Sequence, residues 1–531
     1  MLSRLYRIII IGLFSSGLVY AQEEVKGTTI PDSLQATPVD AEHDPAQAYE
    51  ELRRFARAFS LVKNQYVEPV SDKELIDAAI AGMVDKLDPH SAYLDKEDMI
   101  DLQEETDGEF GGLGIEIGEE KGYIKIISPI EGTPAAKAGV LPGDLVVSIN
   151  DVNTKEKDIS DVIKMLRGEP GSAVTLKVSR QGKLLDIHLK RELIKVKSVR
   201  SKLVGDIAYF RLSQFQTNTV NDLVAQIRSI KTTPKAIVLD LRNNPGGLLN
   251  VSVGVVQIFA NTQGSIVSTK ARNQVVEEFS RYIPDNILQN TAVLKNLPPW
   301  LHSVPMVVLI NVGSASASEI VAGALQDFKR ATIMGNRSFG KGSVQVVMPI
   351  DDETGIKLTT ARYYTPSGRS IQATGITPDV VVSDTEKGDL FSSPREVDLD
   401  DHLLHESVPE KKAETKPVDN TEVKIVDAKN MYEFGSDQDF QLQQAIRFLK
   451  GEKVNQGVIQ AQSDGATVSG VDSRVGMKHE SRDAKEVTKD AKNKELSDKG
   501  SSTSVPSSNL NKVPEKALDK AIDKVLEHKG D

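Results

Sequence analysis

The chain has 531 residues, more than the roughly 250–300 that one hydrophobic core ordinarily serves, so several domains are expected. Its 76 acidic and 65 basic residues give a net charge of −11, which disfavours nucleic-acid binding because that requires a basic surface. Cysteine is absent and the eight histidines are scattered, which excludes disulfides, thiolate metal sites and cysteine nucleophiles. We therefore expect neither a metal ion nor any other cofactor.

Residues 1–21 have the layout of a secretory signal peptide. Arg4 and Arg7 precede an apolar run over residues 8–20, and the small residue Ala21 follows it. The run is shorter than the ~20 residues that a membrane-spanning helix needs. The pattern predicts export to a bacterial periplasm or cell envelope, with cleavage near Ala21. The alternative is an uncleaved membrane anchor, which also places the rest of the chain outside the cytoplasm.

Composition divides the remaining sequence into zones. In chain order we predict a flexible lead-in at 22–44, a helical N-terminal region at 45–106, a β-rich domain at 107–195, an α/β core at 196–383, an acidic segment with a short helix packing on that core at 384–450, and a polar, largely disordered tail at 451–531. The runs Ala236–Asp240 and Met306–Ile310 are apolar almost throughout. Such runs are typical of strands buried on both faces of a parallel sheet.

A glycine-rich turn opens the β-rich domain. The sequence Gly111-Gly-Leu-Gly-Ile115 can expose backbone N–H groups beside a sheet edge, where they hold a chain-terminal carboxylate while the peptide adds itself as a strand. With the later block Gly139–Asn150, this segment resembles a PDZ domain. The resemblance implies a carboxylate-binding loop at Leu113, Gly114 and Ile115. A β-rich packing domain without a ligand is the alternative.

Three serines follow the buried run that ends at Ile310: Ser314, Ser316 and Ser318. A serine on a sharp strand-to-helix turn exposes its hydroxyl, and the helix N-terminus behind it supplies N–H donors for an oxyanion. However, Ser316-Ala-Ser-Glu319 also fits a helix capping box, which needs no catalysis. This motif alone favours capping over catalysis.

A lysine is the candidate base, because a serine hydroxyl is a weak nucleophile until a base takes its proton. The nearest upstream histidine, His302, lies beside prolines, whereas Lys341 stands between two glycines. A lysine can act as a base if burial lowers its pKa from about 10.4 by several units. Gln345 could hydrogen-bond the amine without adding a charge.

The same stretch nearly matches a phosphate-binding P-loop. Gly335-Asn-Arg-Ser-Phe-Gly-Lys-Gly342 follows a predicted strand, but Gly342 replaces the hydroxyl that binds magnesium. A strand pattern follows it, where a P-loop needs a helix. A nucleotide-binding phosphohydrolase is therefore the less favoured alternative.

Gly313–Glu319 and Gly340–Gln345 together resemble the C-terminal processing peptidases, also called tail-specific proteases. These are exported serine proteases with a Ser–Lys pair and an inserted PDZ domain. The resemblance extends to Asp88–Leu94, Asp240–Gly247 and Leu358–Arg369. It implies a mixed α/β protease core of the ClpP/crotonase-like kind.

The resemblance also implies roles for individual residues. Ser316 would be the nucleophile, Lys341 the general base and Gln345 the residue that orients the lysine. The backbone N–H groups of Ala317 and Gly246 would form the oxyanion hole.

Protein substrates would be recognised by their C-termini at the PDZ domain, and an adaptor protein and a homo-oligomer remain open. Arg167, on a loop of that domain, is a candidate for coupling ligand binding to the active site, the alternative being a solvated loop charge. A PDZ-containing scaffold that binds peptides without cleaving them is the alternative function.

Overall fold

The computed structural model describes residues 45–120, 122–155, 157–262, 264–273, 275–280, 291–389, 394–406 and 434–459. The predicted signal peptide at 1–21, the lead-in at 22–44 and the tail from residue 460 onward lie outside the described residues. The described residues divide into two compact units, and the second, residues 110–194, is inserted in sequence into the first.

The helices are α1 Pro45–Gln65, α2 Asp72–Val84, α3 Lys96–Asp107, α4 Pro134–Lys137, α5 Ile159–Leu166, α6 Thr219–Ser229, α7 Leu249–Phe259, α8 Trp300–Ser303, α9 Ala317–Asp327 and α10 Phe440–Leu449. The strands are β1 Ala92–Leu94, β2 Glu109–Gly112, β3 Ile115–Glu120, β4 Tyr123–Pro129, β5 Leu145–Ile149, β6 Val152–Asn153, β7 Ala173–Arg180, β8 Lys183–Lys190, β9 Glu192–Lys195, β10 Val199–Val204, β11 Ile207–Leu212, β12 Ala236–Asp240, β13 Val267–Ala271, β14 Val276–Phe279, β15 Met306–Ile310, β16 Thr332–Gly335, β17 Ser343–Pro349, β18 Gly355–Tyr364 and β19 Val380–Val381. Short 3-10 helices occupy Thr291–Leu294 and Glu396–Asp398.

Helices α1, α2 and α3 fill the segment for which helical spacing was predicted, with β1 between the last two. The N-terminus of α2 carries a capping box in which Ser71 and Glu74 satisfy each other's backbone N–H. Helix α3 has a matching pair in Asp95 and Asp98, and it ends at Gly108 in the left-handed conformation that glycine adopts without strain. Local sequence signals therefore fix both of these helices.

The core of the first unit is a sheet of order β10-β11-β12-β15-β16-β19, parallel except for the β10–β11 pair. All residues of β12 and β15 are buried because both faces of the sheet are covered. Ile237 and Val308 face α6, α7 and α9 on one side, while Val238 and Val307 face α10 on the other. This packing explains the two apolar runs in the sequence.

A second sheet of the same unit centres on the ten-residue strand β18, which pairs with β1, β13 and β17. The antiparallel β17–β18 ladder shifts register between Val344 and Gln345. A bulge of this kind re-aims the side chain at the irregularity and is common near active sites.

The inserted unit is built on a sheet of order β3-β4-β5-β7-β8, with β6 added to β5. Its core contains Ile126, Ile149 and Leu176, all fully buried. Strand β3 lies at one end of the sheet order. Of the helices in the described part of the chain, none is both long enough and apolar enough to cross a bilayer.

Candidate active site

Three loops of the first unit meet where neighbouring parallel strands end. Residues 241–248 follow β12, residues 311–316 follow β15, and residues 336–342 follow β16. Because these strands are adjacent and parallel, their carboxyl ends lie at the same edge of the sheet, where open α/β sheets bind ligands. The loops line a cavity of about 340 Å³.

The five residues predicted for the catalytic site all line this cavity. They are Gly246, Ser316, Ala317, Lys341 and Gln345. The residues predicted for the site thus line one cavity, although they lie on three loops, helix α9 and strand β17.

Ser316 stands at the strand-to-helix turn before α9, with a φ of 53°. The other two candidate serines are buried and hold the loops together. The Ser314 hydroxyl donates to the Leu241 carbonyl at 2.8 Å, and the Ser318 hydroxyl donates to the Asn244 carbonyl at 2.9 Å. Of the three serines, Ser316 is the one on the cavity wall.

Asparagines fix the loop that follows β12. Asn244 donates through Nδ2 to the Leu212 carbonyl and accepts the Gly246 N–H at Oδ1, each at 2.9 Å. Gly246 has a φ of 112°, and a Cβ there would lie 2.8 Å from the Ser316 Cβ and 3.1 Å from the Ala317 N. Glycine is therefore required by both conformation and space. The N–H predicted to bind an oxyanion is engaged with Asn244 in this conformation.

The Lys341 side chain lies in the cavity wall, and burial lowers the pKa of its amine below the ordinary value. The positive charge of Lys357 lowers this pKa further, while the carboxylates of Glu396 and Asp88 act against the shift. A lysine that loses its proton more readily than usual is suited to act as a general base.

Gln345 lies at the bulge of β17. Its Nε2 donates to the Ser343 hydroxyl at 2.9 Å and to the Thr359 hydroxyl at 3.1 Å. Thr359 in turn donates to Asp88 at 3.1 Å. Asp88 belongs to the turn before β1. The N-terminal region therefore helps to hold the Gln345 side chain in place through the Thr359 hydroxyl.

Two buried side chains bridge the loops of the site. The sequence did not predict either of them as a site residue. The Glu319 carboxylate accepts the N–H groups of Ser316 and Lys341, each at 2.9 Å, and also the N–H of Gly340 at 2.8 Å and the Ser338 hydroxyl at 2.5 Å. The capping contact predicted for Glu319 is thus present, but it is one of four bonds.

The second bridging side chain is Tyr363 on β18, whose ring is buried. Its hydroxyl donates to the Ser316 carbonyl at 3.1 Å and also to the Lys341 carbonyl. Tyr363 lies inside the block Leu358–Arg369 that carried the family resemblance, but no local pattern marks its hydroxyl. Its contacts span β18, the serine turn and the lysine loop.

The predicted peptide-binding residues lie in the inserted unit. Leu113 is buried, and its carbonyl accepts the Ala135 N–H at 3.1 Å. Gly114 has a φ of 71°, and its carbonyl accepts the Ile130 N–H at 2.8 Å. Ile115 begins β3, at the end of the sheet order.

Arg167, the coupling candidate, lies in the same unit directly after α5. Its guanidinium stands 5.2 Å from the centroid of the Phe110 ring, a cation–π contact. The side chain is half-buried.

Known proteins resemble this chain over most of the described residues. Residues 206–382 match peptidase family S41, residues 12–98 match the N-terminal domain of the activating protease CtpB, and residues 125–180 match the PDZ domain family. A carboxy-terminal-processing protease from Bartonella bacilliformis is 48% identical over 341 residues, which cover 63% of this chain and 75% of the relative.

More distant relatives and structures carry similar descriptions. A probable CtpA-like serine protease from Staphylococcus saprophyticus is 35% identical, with 62% of this chain and 65% of the relative covered. Among solved structures, a photosystem II D1 C-terminal processing protease is 29% identical, with a TM-score of 0.38 and coverage of 64% of this chain and 87% of the other.

Fold and matches together define a serine-type peptidase with a mixed α/β core and an inserted PDZ domain. The predicted fold class is confirmed. The chain belongs to the family of carboxy-terminal-processing proteases.

Proposed function

We propose that this chain is an exported serine endopeptidase that recognises protein C-termini through its PDZ domain and cleaves with a Ser–Lys pair. The observation that carries the proposal is that Ser316 and Lys341 line one cavity while burial lowers the pKa of the lysine amine. Export rests on the signal-like sequence at 1–21, which lies outside the described residues.

The chemistry follows acyl transfer. Neutral Lys341 takes the proton of the Ser316 hydroxyl as the oxygen forms a bond to the substrate carbonyl carbon. The peptide C–N bond then breaks, and Lys341 returns the proton to the leaving amine. Water attacks the resulting ester with Lys341 again accepting a proton, and Ser316 recovers its hydrogen when the carboxylic product leaves.

The oxyanion hole is assigned to the N–H groups of Ala317 and Gly246. Ala317 is the first residue of α9, where the positive end of the helix dipole also favours negative charge. The Gly246 N–H is bonded to Asn244 in this structure, so it must exchange that partner for the substrate oxygen. This exchange requires a rotation of the backbone at Gly246, which glycine permits more readily than other residues.

Gln345 is assigned to orienting Lys341. Both of its bonds are donated by Nε2, so the amide oxygen is the atom that would accept a hydrogen bond from the amine. An amide holds the amine without the charge that would keep it protonated.

At the PDZ domain, the carboxylate of a protein C-terminus would bind the loop of Leu113, Gly114 and Ile115, and the peptide would add beside β3. We assign Arg167 to coupling between ligand binding and catalysis. Replacement by alanine should then slow cleavage of a tailed protein substrate but not of a short peptide that lacks the recognised C-terminus. Equal rates with the tailed substrate would remove this role.

The decisive experiment compares the mature protein with Ser316→Ala and Lys341→Ala on a substrate with an apolar C-terminal tail. Both variants should lose cleavage, while Lys235→Ala, a surface lysine paired with Asp206, should cleave at the parent rate. Activity should rise with pH through a lysine pKa below the ordinary value, because only the neutral amine accepts the proton. Retained cleavage by Ser316→Ala would leave a peptide-binding protein with a different or no catalytic centre.

A further inference from the structure

One acceptor and one donor tie the backbones of Ser316 and Lys341 to each other. The Glu319 carboxylate accepts the N–H of both residues, and the Tyr363 hydroxyl donates to the carbonyl of both. All four backbone polar groups of the two residues therefore contact one of these two side chains, and the Ser316 carbonyl also accepts the N–H groups of Glu319 and Ile320 in the first turn of α9. Glu319 is fully buried and Tyr363 nearly so.

The two side chains come from different elements of the unit. Glu319 lies in the first turn of α9 and Tyr363 near the end of β18, and these elements belong to different layers of the unit. A shift of the serine turn against the lysine loop would break bonds to both. The pair adds to a direct bond between the two loops, in which the Phe339 N–H donates to the Ser314 carbonyl at 3.0 Å.

Such a constraint is needed because both loops have unusual backbones. Ser316 has a φ of 53°, which a residue with a side chain adopts only when its surroundings enforce it. Lys341 follows Gly340, whose φ is 102°, so the lysine loop has little intrinsic preference for its conformation.

We propose that Glu319 and Tyr363 are positioning residues that hold Ser316 and Lys341 at the separation that proton transfer requires. This inference rests on the proposed Ser–Lys mechanism. Neither residue touches the reacting atoms, and each acts through the backbone of the pair.

Because the Glu319 carboxyl can gain a proton, the pH dependence of activity distinguishes a positioning role from a merely structural one. Burial raises the pKa of this carboxyl to about 7. The groups that face it are the Ser338 hydroxyl, the Lys341 amine and the Tyr363 phenol, and burial raises the pKa of Tyr363 well above its ordinary value, which keeps it a donor. The ionised carboxylate can accept all four donors, whereas the protonated acid must donate one hydrogen itself.

Activity on the acid side should therefore depend on two groups. As pH falls, protonation of Lys341 removes the base and protonation of Glu319 loosens the two loops. The logarithm of kcat/KM should then fall with a slope approaching two where both groups titrate. In Glu319→Gln, which has no proton to gain, the slope should fall to one.

The main test is Tyr363→Phe, which removes the hydroxyl and keeps the buried ring. We expect kcat to fall about 100-fold with KM nearly unchanged, since a misplacement of about 1 Å has this effect. Tyr364→Phe is the matched control, because the neighbouring hydroxyl bonds Glu406 instead, and it should keep the parent kcat. Phosphonylation of Ser316 by a fluorophosphonate, measured well below the unfolding transition, should slow in parallel with kcat.

The outcomes separate this inference from the mechanism on which it rests. A parent-like kcat in Tyr363→Phe, or an unchanged acid-side slope in folded Glu319→Gln, would overturn the positioning role while Ser316→Ala remained inactive. Cleavage by Ser316→Ala would instead overturn the mechanism. If Glu319→Gln does not fold, the Tyr363→Phe measurement still decides.

Discussion

Gln345→Glu places a charge beside the candidate base with little change in shape. Both residues line the same cavity, and the bulge at Val344–Gln345 fixes the direction of the side chain. For a carboxylate placed about 5 Å from the amine and an effective dielectric of about 20, the attraction is about 3 kcal/mol, equivalent to about two pKa units. The carboxylate favours the charged amine, so the pKa of Lys341 should rise by about this amount.

The consequence for catalysis has a definite sign. A protonated amine cannot accept the hydroxyl proton of Ser316, so kcat/KM should fall about 100-fold at a pH below the parent pKa, matching two pKa units, and by less between the parent and the raised pKa. Raising the pH should restore activity. Repulsion from Asp88, which bonds Thr359 next to position 345, should raise the pKa of the new carboxyl and reduce the effect somewhat.

The assay is kcat/KM against pH with a fluorogenic peptide, for the parent, Gln345→Glu and Gln345→Met. Methionine loses the hydrogen bonds to Ser343 and Thr359 but adds no charge, so it should lower the rate without moving the acid-side midpoint. If Gln345→Glu and Gln345→Met showed the same midpoint, the lysine would not be the titrating base.

Two further predictions concern stability and peptide binding. Arg242→Ala removes the guanidinium that pairs with the buried Asp439 and should lower the free energy of unfolding by about 3–5 kcal/mol in urea titrations. Arg447→Ala, at a half-exposed arginine, should change it by at most about 1 kcal/mol, and equal losses would contradict the burial argument. Gly114→Ala places a Cβ 2.4 Å from the Thr133 Cβ and should weaken binding of a labelled peptide with a free C-terminal carboxylate by about tenfold or more. Gly132→Ala is the control, because Gly132 also has a positive φ but an added Cβ would meet no atom within 4 Å. An equal loss of affinity in both variants would show that backbone conformation, and not the contact with Thr133, causes the loss.

The parts of the fold that local sequence determines could be predicted. The apolar runs at 236–240 and 306–310 indicated strands covered on both faces, and they are the neighbouring strands β12 and β15. Because the candidate loops directly follow β12, β15 and β16, prediction of the strands also brought Ser316 and Lys341 to one cavity.

Interactions between distant segments could not be predicted in the same way. Glu319 was recognised as a cap because the S-x-x-E spacing is local, but its bonds to the lysine loop depend on how β16 and α9 pack. Tyr363 and Thr359 act from β18 across sheets, and no spacing rule connects them to Ser316 or Gln345. The sequence predicted the Gly246 N–H as a donor, but it did not predict that this N–H bonds Asn244.

The buried arginine at position 242 determines when this core can be completed during synthesis. Its guanidinium bonds Asp439 at 2.6 and 2.9 Å, and Asp439 also caps α10, which covers one face of the central sheet. The loop that carries Gly246 begins beside Arg242, but Asp439, which binds that arginine, lies almost 200 residues later in the chain. A nascent protein that has not yet released residues 439–449 therefore has the candidate nucleophile and base but a central sheet with one face uncovered, so we expect the core to be complete only after α10 has been synthesised.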